Sequence, residues 1–165
     1  VEVKTPFFTF LQGFDGKSGW AASPQGAMDL PANLNAEIHR GIDLEGVVGL
    51  YQQALAGKVE VQFLGEEELE GKKVLAAEWN SAAGKTKLFF DPATGLLVGA
   101  RYRQTTTQGP VETLQVWSDF RDVAGVKFPF HWLNYRDGAK YSDQTIQDGK
   151  VNTKPEPALF SKPAK

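Results

Sequence analysis

The chain has no cysteine, two histidines and one methionine in 165 residues. Without cysteine there is no disulfide framework, no thiol nucleophile and no thiolate metal site, although the compartment stays open. His39 and His131 stand in neither H-E-x-x-H nor H-x-x-E-H, so a zinc site would need carboxylates from unrelated strands. Ser23 lacks the G-x-S-x-G setting of a nucleophile, and no glycine cluster makes a phosphate loop. The short "DGK", "DPATG" and "DGA" runs lack the acidic spacing of a calcium loop. No apolar run approaches the roughly 18 residues of a membrane span. An excess of one charge is missing too. Eighteen basic and 20 acidic residues interleave to a net charge of −2, which leaves no basic stripe for nucleic acid. These absences predict no enzyme, no cofactor, no metal and no nucleic-acid partner. The first residue is Val1, so the chain reads as a piece of a longer product whose targeting signal lies elsewhere.

What is present is aromatic surface. Eleven Phe, four Trp and four Tyr make up 12% of the chain. Its length suits one domain with a sizeable core, here taken as residues 1–165. Turn signals recur along it, among them Gly13-Phe14-Asp15-Gly16, Glu70-Gly71, Asp91-Pro92-Ala93-Thr94-Gly95, Ala124-Gly125 and Asp137-Gly138. Between them, apolar and polar residues alternate. Val59, Val61 and Phe63 share one phase, and so do Leu114, Val116 and Phe120. Strands joined by short turns predict an antiparallel meander.

One interval breaks the alternation, from about residue 33 to 57. Leu34, Ile38 and Ile42 predict a first short helix ended by Gly41. Asp43 then caps a second, whose Leu44, Val47, Val48, Tyr51 and Leu55 form an apolar stripe. Such a stripe needs the sheet as its partner. A tail from about residue 153 to 165 follows the strands. The expected fold is therefore mainly β, with helices across one face of a long curved antiparallel sheet.

The segment "KFPFHWLNY", Lys127 to Tyr135, concentrates the aromatic excess. Phe128, Phe130 and Trp132 share one strand phase, and Pro129, His131 and Leu133 the other. The first set should face the interior and His131 the opposite side, without a catalytic partner. Pro129 should mark an edge or a bulge. Asp119 and Asp122 stand beside an arginine or a turn, and Glu66-Glu67-Glu68 reads as a solvated hairpin edge. Two readings of the rings stay open: a filled core, or a cavity that takes a hydrophobic ligand.

Several motifs together resemble a known family. They are "FDGKSGWAASPQG", two short helices, "LGEEELEGKKV", "FDPATGLL", the D-x-R-x-V-x-G-V-x-x-P run from Asp119 to Pro129, and a late Leu159-Phe160-Ser161-Lys162-Pro163. In that order they resemble the outer-membrane lipoprotein carrier and sorting family, the Lol-type domains, without the usual N-terminal part. The resemblance covers about Phe7 to Pro163. It implies an incomplete open β-barrel with a helical lid, periplasmic or secreted, that shelters a lipid or lipoprotein acyl chain without catalysis. Peripheral membrane contact would go with that role. The expected cavity lining is Phe8, Phe10, Trp20, Val48, Tyr51, Phe90, Val116, Phe128, Phe130 and Trp132. A related pattern forms a tail module on secreted insulinase-like zinc peptidases. The alternative is accordingly an interaction module with a filled core, attached to an adjoining domain.

Overall fold

The computed structural model describes residues 2–4, 9–44, 48–57, 59–81, 84–106, 108–149, 154 and 156–163. The chain is mainly β and divides into two compact units, Val1–His39 with Asn152–Lys165, and Arg40–Val151.

The first unit holds β1 (Glu2–Lys4), β2 (Thr9–Phe14), β3 (Gly19–Ser23) and β4 (Gly26–Asp29), an antiparallel meander in chain order. Trp20 lies directly opposite Gly13. A Cβ at Gly13 would come within 2.3 Å of the indole, so glycine is what lets the ring lie across the neighbouring strand. Trp20 Nε1 donates to Phe160 O at 2.8 Å and ties down the 3₁₀ turn Pro157–Phe160. Helix α1 (Ala32–Leu44) starts here. The Asn35 side chain accepts from Gly19 N at 2.6 Å and donates to Leu30 O at 2.9 Å. His39 meets Phe14 edge-on, with centroids 4.7 Å apart.

The second unit is a seven-stranded antiparallel meander: β5 (Val61–Leu69), β6 (Lys72–Ser81), β7 (Gly84–Phe90), β8 (Leu97–Thr106), β9 (Gly109–Val123), β10 (Val126–Arg136) and β11 (Ala139–Thr145). The sheet is curved, and its edge strands β5 and β11 do not pair, so the barrel stays open. Three of its hairpins turn on Glu70-Gly71, Ala124-Gly125 and Asp137-Gly138, all with positive φ at both residues. That geometry matches the right-handed twist of the flanking strands. Register shifts at Phe63/Gly65, Phe89/Phe90 and Asn134/Tyr135 mark where the ladder is irregular.

Alternation gives this sheet two apolar faces. On one, Trp79, Leu88, Leu97, Ala100, Tyr102, Trp117 and Trp132 pack with Leu44 of α1 and Leu50 of α2 (Val48–Leu55). On the other, Leu69, Val74, Ala76 and Phe89 pack with Val98, Leu114 and Val116.

The helices depart from expectation. Gly41 does not end α1 and Asp43 does not cap α2; α1 runs through both to Leu44. Arg40 and Leu44, one turn apart, are both buried, and that anchorage outweighs the weak helix propensity of glycine. Asp43 instead accepts from Gln53 Nε2 at 2.7 Å. Of the expected stripe, Leu44 is buried, Leu55 is exposed and Val47 lies outside the described residues. Leu50 supplies the second buried contact.

Candidate functional site

The helix-covered face of the seven-stranded sheet gathers the largest rings of the second unit. Trp117 and Trp132 sit opposite one another on β9 and β10, with centroids 6.0 Å apart and planes at 66°. Phe128 continues the row, 6.4 Å from Trp132 and 6.1 Å from Phe130. Phe90, Phe120, Phe128, Val59 and Ile146 border this cluster. Phe128, Phe130 and Trp132 thus stand together as their shared phase predicts, with Phe130 and Trp132 buried. Pro129 lies past His131, where β11 stops pairing with β10, which is where a residue without an amide donor fits.

Of the other expected lining residues, two lie away from this face. Val116 packs into the second cluster, on the face away from Trp117, and so does not line the aromatic face as expected. Val116 is next to Trp117 on β9, and alternation sets the two on opposite faces. Trp20 belongs to the first unit, where it serves as core. Phe10 is in β2, and Val48 and Tyr51 are in α2. Phe8 lies outside the described residues.

His131, in the phase opposite the rings, has two polar neighbours. Its Nε2 lies 2.7 Å from Asp143 Oδ1, and its Nδ1 lies 2.9 Å from Ser118 Oγ. It therefore has a carboxylate and a hydroxyl partner. The composition is that of a nucleophilic triad, but Ser118 and His131 are simply cross-strand neighbours in register, and Asp143 comes from the strand beyond. Asp143 also accepts from Lys140, and these two bonds, that from Lys140 foremost, hold its carboxyl below the usual range. None of the three lines either of the clefts described below. Cross-strand polar pairing accounts for this geometry.

Sequence reasoning missed two features. The first is Arg40, 2% exposed, whose guanidinium lies 4.0 Å from the Tyr102 ring centre and donates to Arg103 O at 3.2 Å. No periodic signal announces it, because it takes an apolar position on a helix. The second is a cleft of about 220 Å³ toward one end of β8 to β11. Its side chains are joined across strands. Thr113 Oγ1 donates to Gln104 Oε1 at 3.2 Å, Gln115 Nε2 to Asn134 Oδ1 at 3.0 Å, and Asn134 Nδ2 to Ser142 Oγ at 2.9 Å. Gln144 Nε2 reaches the same hydroxyl at 3.1 Å. In the sequence Asn134 shares the phase of Phe128, Phe130 and Trp132, but Thr113 and Gln115 alternate with the apolar Leu114 and Val116, so no signal joined them.

A second, smaller cleft of about 160 Å³ opens on the other face beside Glu70, Arg101 and Tyr135. Burial, with the Glu70 carboxylate nearby, pushes the Tyr135 phenol up. No group of three or more metal-ligating side chains occurs among the described residues. No helix there is long and apolar enough to cross a membrane.

No family model and no curated protein matches the sequence. Solved structures match the fold. A domain from Vibrio parahaemolyticus assigned to outer membrane lipoprotein sorting aligns with a TM-score of 0.56 at 12% identity, over 92% of this chain and 68% of its own. A LolA superfamily protein from Nitrosomonas europaea aligns at 14% identity with a TM-score of 0.48, over 94% of this chain and 70% of its own. The first likeness spans nearly the whole chain and rests on arrangement instead of sequence, and by it this chain has the Lol-type fold of lipoprotein-sorting domains.

Proposed function

We propose that this chain binds a hydrophobic ligand, the acyl chain of a lipid or lipoprotein, in the cell envelope and without catalysing a reaction. The observation that carries the reading is the aromatic face of the seven-stranded sheet, covered by Leu44 and Leu50 from a helix pair in place of a second sheet. The fold likeness to a lipoprotein-sorting domain supports it. A helical cover can be displaced at modest cost. Each buried leucine stabilises by about 1.5–3 kcal/mol and each buried methylene of a ligand by about 0.8 kcal/mol, so roughly four to eight methylenes offset the loss of both leucines. Rows of rings at Phe128, Phe130 and Trp132, bordered by Phe90, would then receive the chain.

The competing reading is an interaction module with a filled core. What favours it is the β5 edge, where Val61 and Phe63 are 46% and 66% exposed although they stand opposite Trp79 and Ala77. An unpaired edge with exposed apolar side chains suits an adjoining domain. Titration with saturated fatty acids of increasing length separates the two. Acyl binding predicts saturation, with affinity rising about fourfold per methylene. A filled core predicts no saturable uptake at any length.

A further inference from the structure

The polar cleft sits on the same face as the aromatic cluster, and Tyr102 and Trp132 belong to both. On the helix-covered face, beside the aromatic and aliphatic cluster, six neutral hydrogen-bonding side chains are placed side by side: Gln104, Thr113, Gln115, Asn134, Ser142 and Gln144. Register explains their adjacency. Gln115 lies opposite Asn134, Asn134 opposite Ser142, and Trp132 opposite Gln144. Thr113 and Asn134 are buried, Gln104, Gln115 and Ser142 are half-buried, and Gln144 is exposed, so the row runs from the folded interior to solvent. The hydrogen bonds between them fix the amide planes before any ligand arrives, which is the preorganisation a specific site requires.

Their bonding capacity is not exhausted. An amide offers two donors and a two-lone-pair acceptor. Among the described residues, the amide nitrogen of Gln104 and the amide oxygens of Gln115 and Gln144 have no partner. Beside them Tyr141 presents an exposed ring, with the Arg136 guanidinium stacked 3.7 Å from its centre. Fixed amides next to an aromatic face suit a ring with hydroxyls on its edge and C–H groups on its flank. A phosphate would call for several cations or clustered backbone donors. Arg136 is the one charged side chain lining the cleft. At about 220 Å³ the space is smaller than the roughly 300–1,000 Å³ of sites for drug-sized ligands, which suits a single ring.

We infer that this cleft binds the neutral glycosyl headgroup of an amphiphile whose tail lies on the adjoining aromatic face. The inference rests on the acyl-binding reading for the tail, and on the cleft alone for the headgroup.

The test compares dodecyl β-glucoside with dodecylphosphocholine, both below their micellar concentrations, and adds methyl β-glucoside as a tail-free probe followed by amide chemical shifts. The expected result is at least tenfold tighter binding of the dodecyl glucoside than of the phosphocholine. In Gln144→Leu and Gln104→Leu, both at solvent-accessible positions, that preference falls toward one. Equal affinity for the two amphiphiles overturns the headgroup site while leaving the tail reading intact. A preference that survives both substitutions also overturns it. If methyl glucoside shifts β9 to β11 amides and the dodecyl chain adds no affinity, the cleft stands and the tail reading fails. Absence of binding by all three probes overturns both.

Discussion

Trp117 and Trp132 face each other across β9 and β10, yet their indole N–H groups are differently placed: Trp132 Nε1 donates to Pro129 O at 3.1 Å, while Trp117 Nε1 is buried with no acceptor among the described residues. Substitution by phenylalanine removes the same atoms at both positions, so the difference between the two variants isolates the hydrogen bond. Trp132→Phe should cost about 1–3 kcal/mol more than Trp117→Phe, because one leaves a carbonyl unsatisfied and the other removes an unsatisfied donor. Urea unfolding of the pair measures it.

Thr86 presents the same problem on a smaller scale. Its side chain is fully buried on β7 opposite Trp79, and its hydroxyl has no partner among the described residues. Thr86→Val keeps the shape and removes the orphaned group. The expected outcome is a gain of about 1 kcal/mol, read from the same unfolding curves. A loss of stability would mean that the hydroxyl is bonded in solution.

Ala124 holds a φ of 52° at the first position of the β9–β10 turn, a conformation that costs an alanine about 1–2 kcal/mol. Asparagine is favoured there before glycine. Ala124→Asn should raise the melting temperature without altering the strand register, as amide shifts across Val123 and Val126 would show.

Acid should weaken the fold through its turn carboxylates. Asp91 accepts from Thr94 Oγ1 and Thr94 N, both at 2.7 Å, and from Ala93 N at 3.1 Å, and these bonds hold its carboxyl below the ordinary 3.8. Bonds from Ser18 and Lys17 do the same at Asp15. A carboxyl depressed in the folded state contributes stability that is present above its unfolded value and lost as pH falls through the folded one. Melting temperature should therefore drop below the ordinary aspartate value of 3.8, and the drop should be shallower in Asp91→Asn. Equal slopes would show that the turn bonds do not stabilise the carboxylate.

The Ser118, His131 and Asp143 array should not hydrolyse esters, since its members pair along an exposed stretch of sheet and neither cleft includes them. Nitrophenyl acetate turnover by the unmodified chain and by Ser118→Ala should be equal. A clear fall in the variant would make the array catalytic.

Legibility in the sequence followed the range of the interactions involved. Glu70-Gly71, Ala124-Gly125 and Asp137-Gly138 were readable as turns because their chemistry is local, and all three carry positive φ at both residues. The phase shared by Phe128, Phe130 and Trp132 was readable for the same reason. Val116 was misplaced because it alternates with the polar Gln115 as an inward residue would, whereas its neighbour Trp117 is the one that packs on the helix-covered face. Gly41 looked like a helix stop, and the burial of Arg40 and Leu44 that overrides it depends on strands far along the chain. The row from Gln104 to Gln144 could not be seen as a site, because register between four strands brings its members together.

Hydrogen exchange at α2 during titration with a long-chain fatty acid tests the central claim most directly. If the chain lies on the face that Leu44 and Leu50 now cover, the α2 amides should lose protection as ligand saturates, while β6 to β10 keep or gain theirs. Saturable binding with unchanged protection in α2, or no saturable binding, would contradict it.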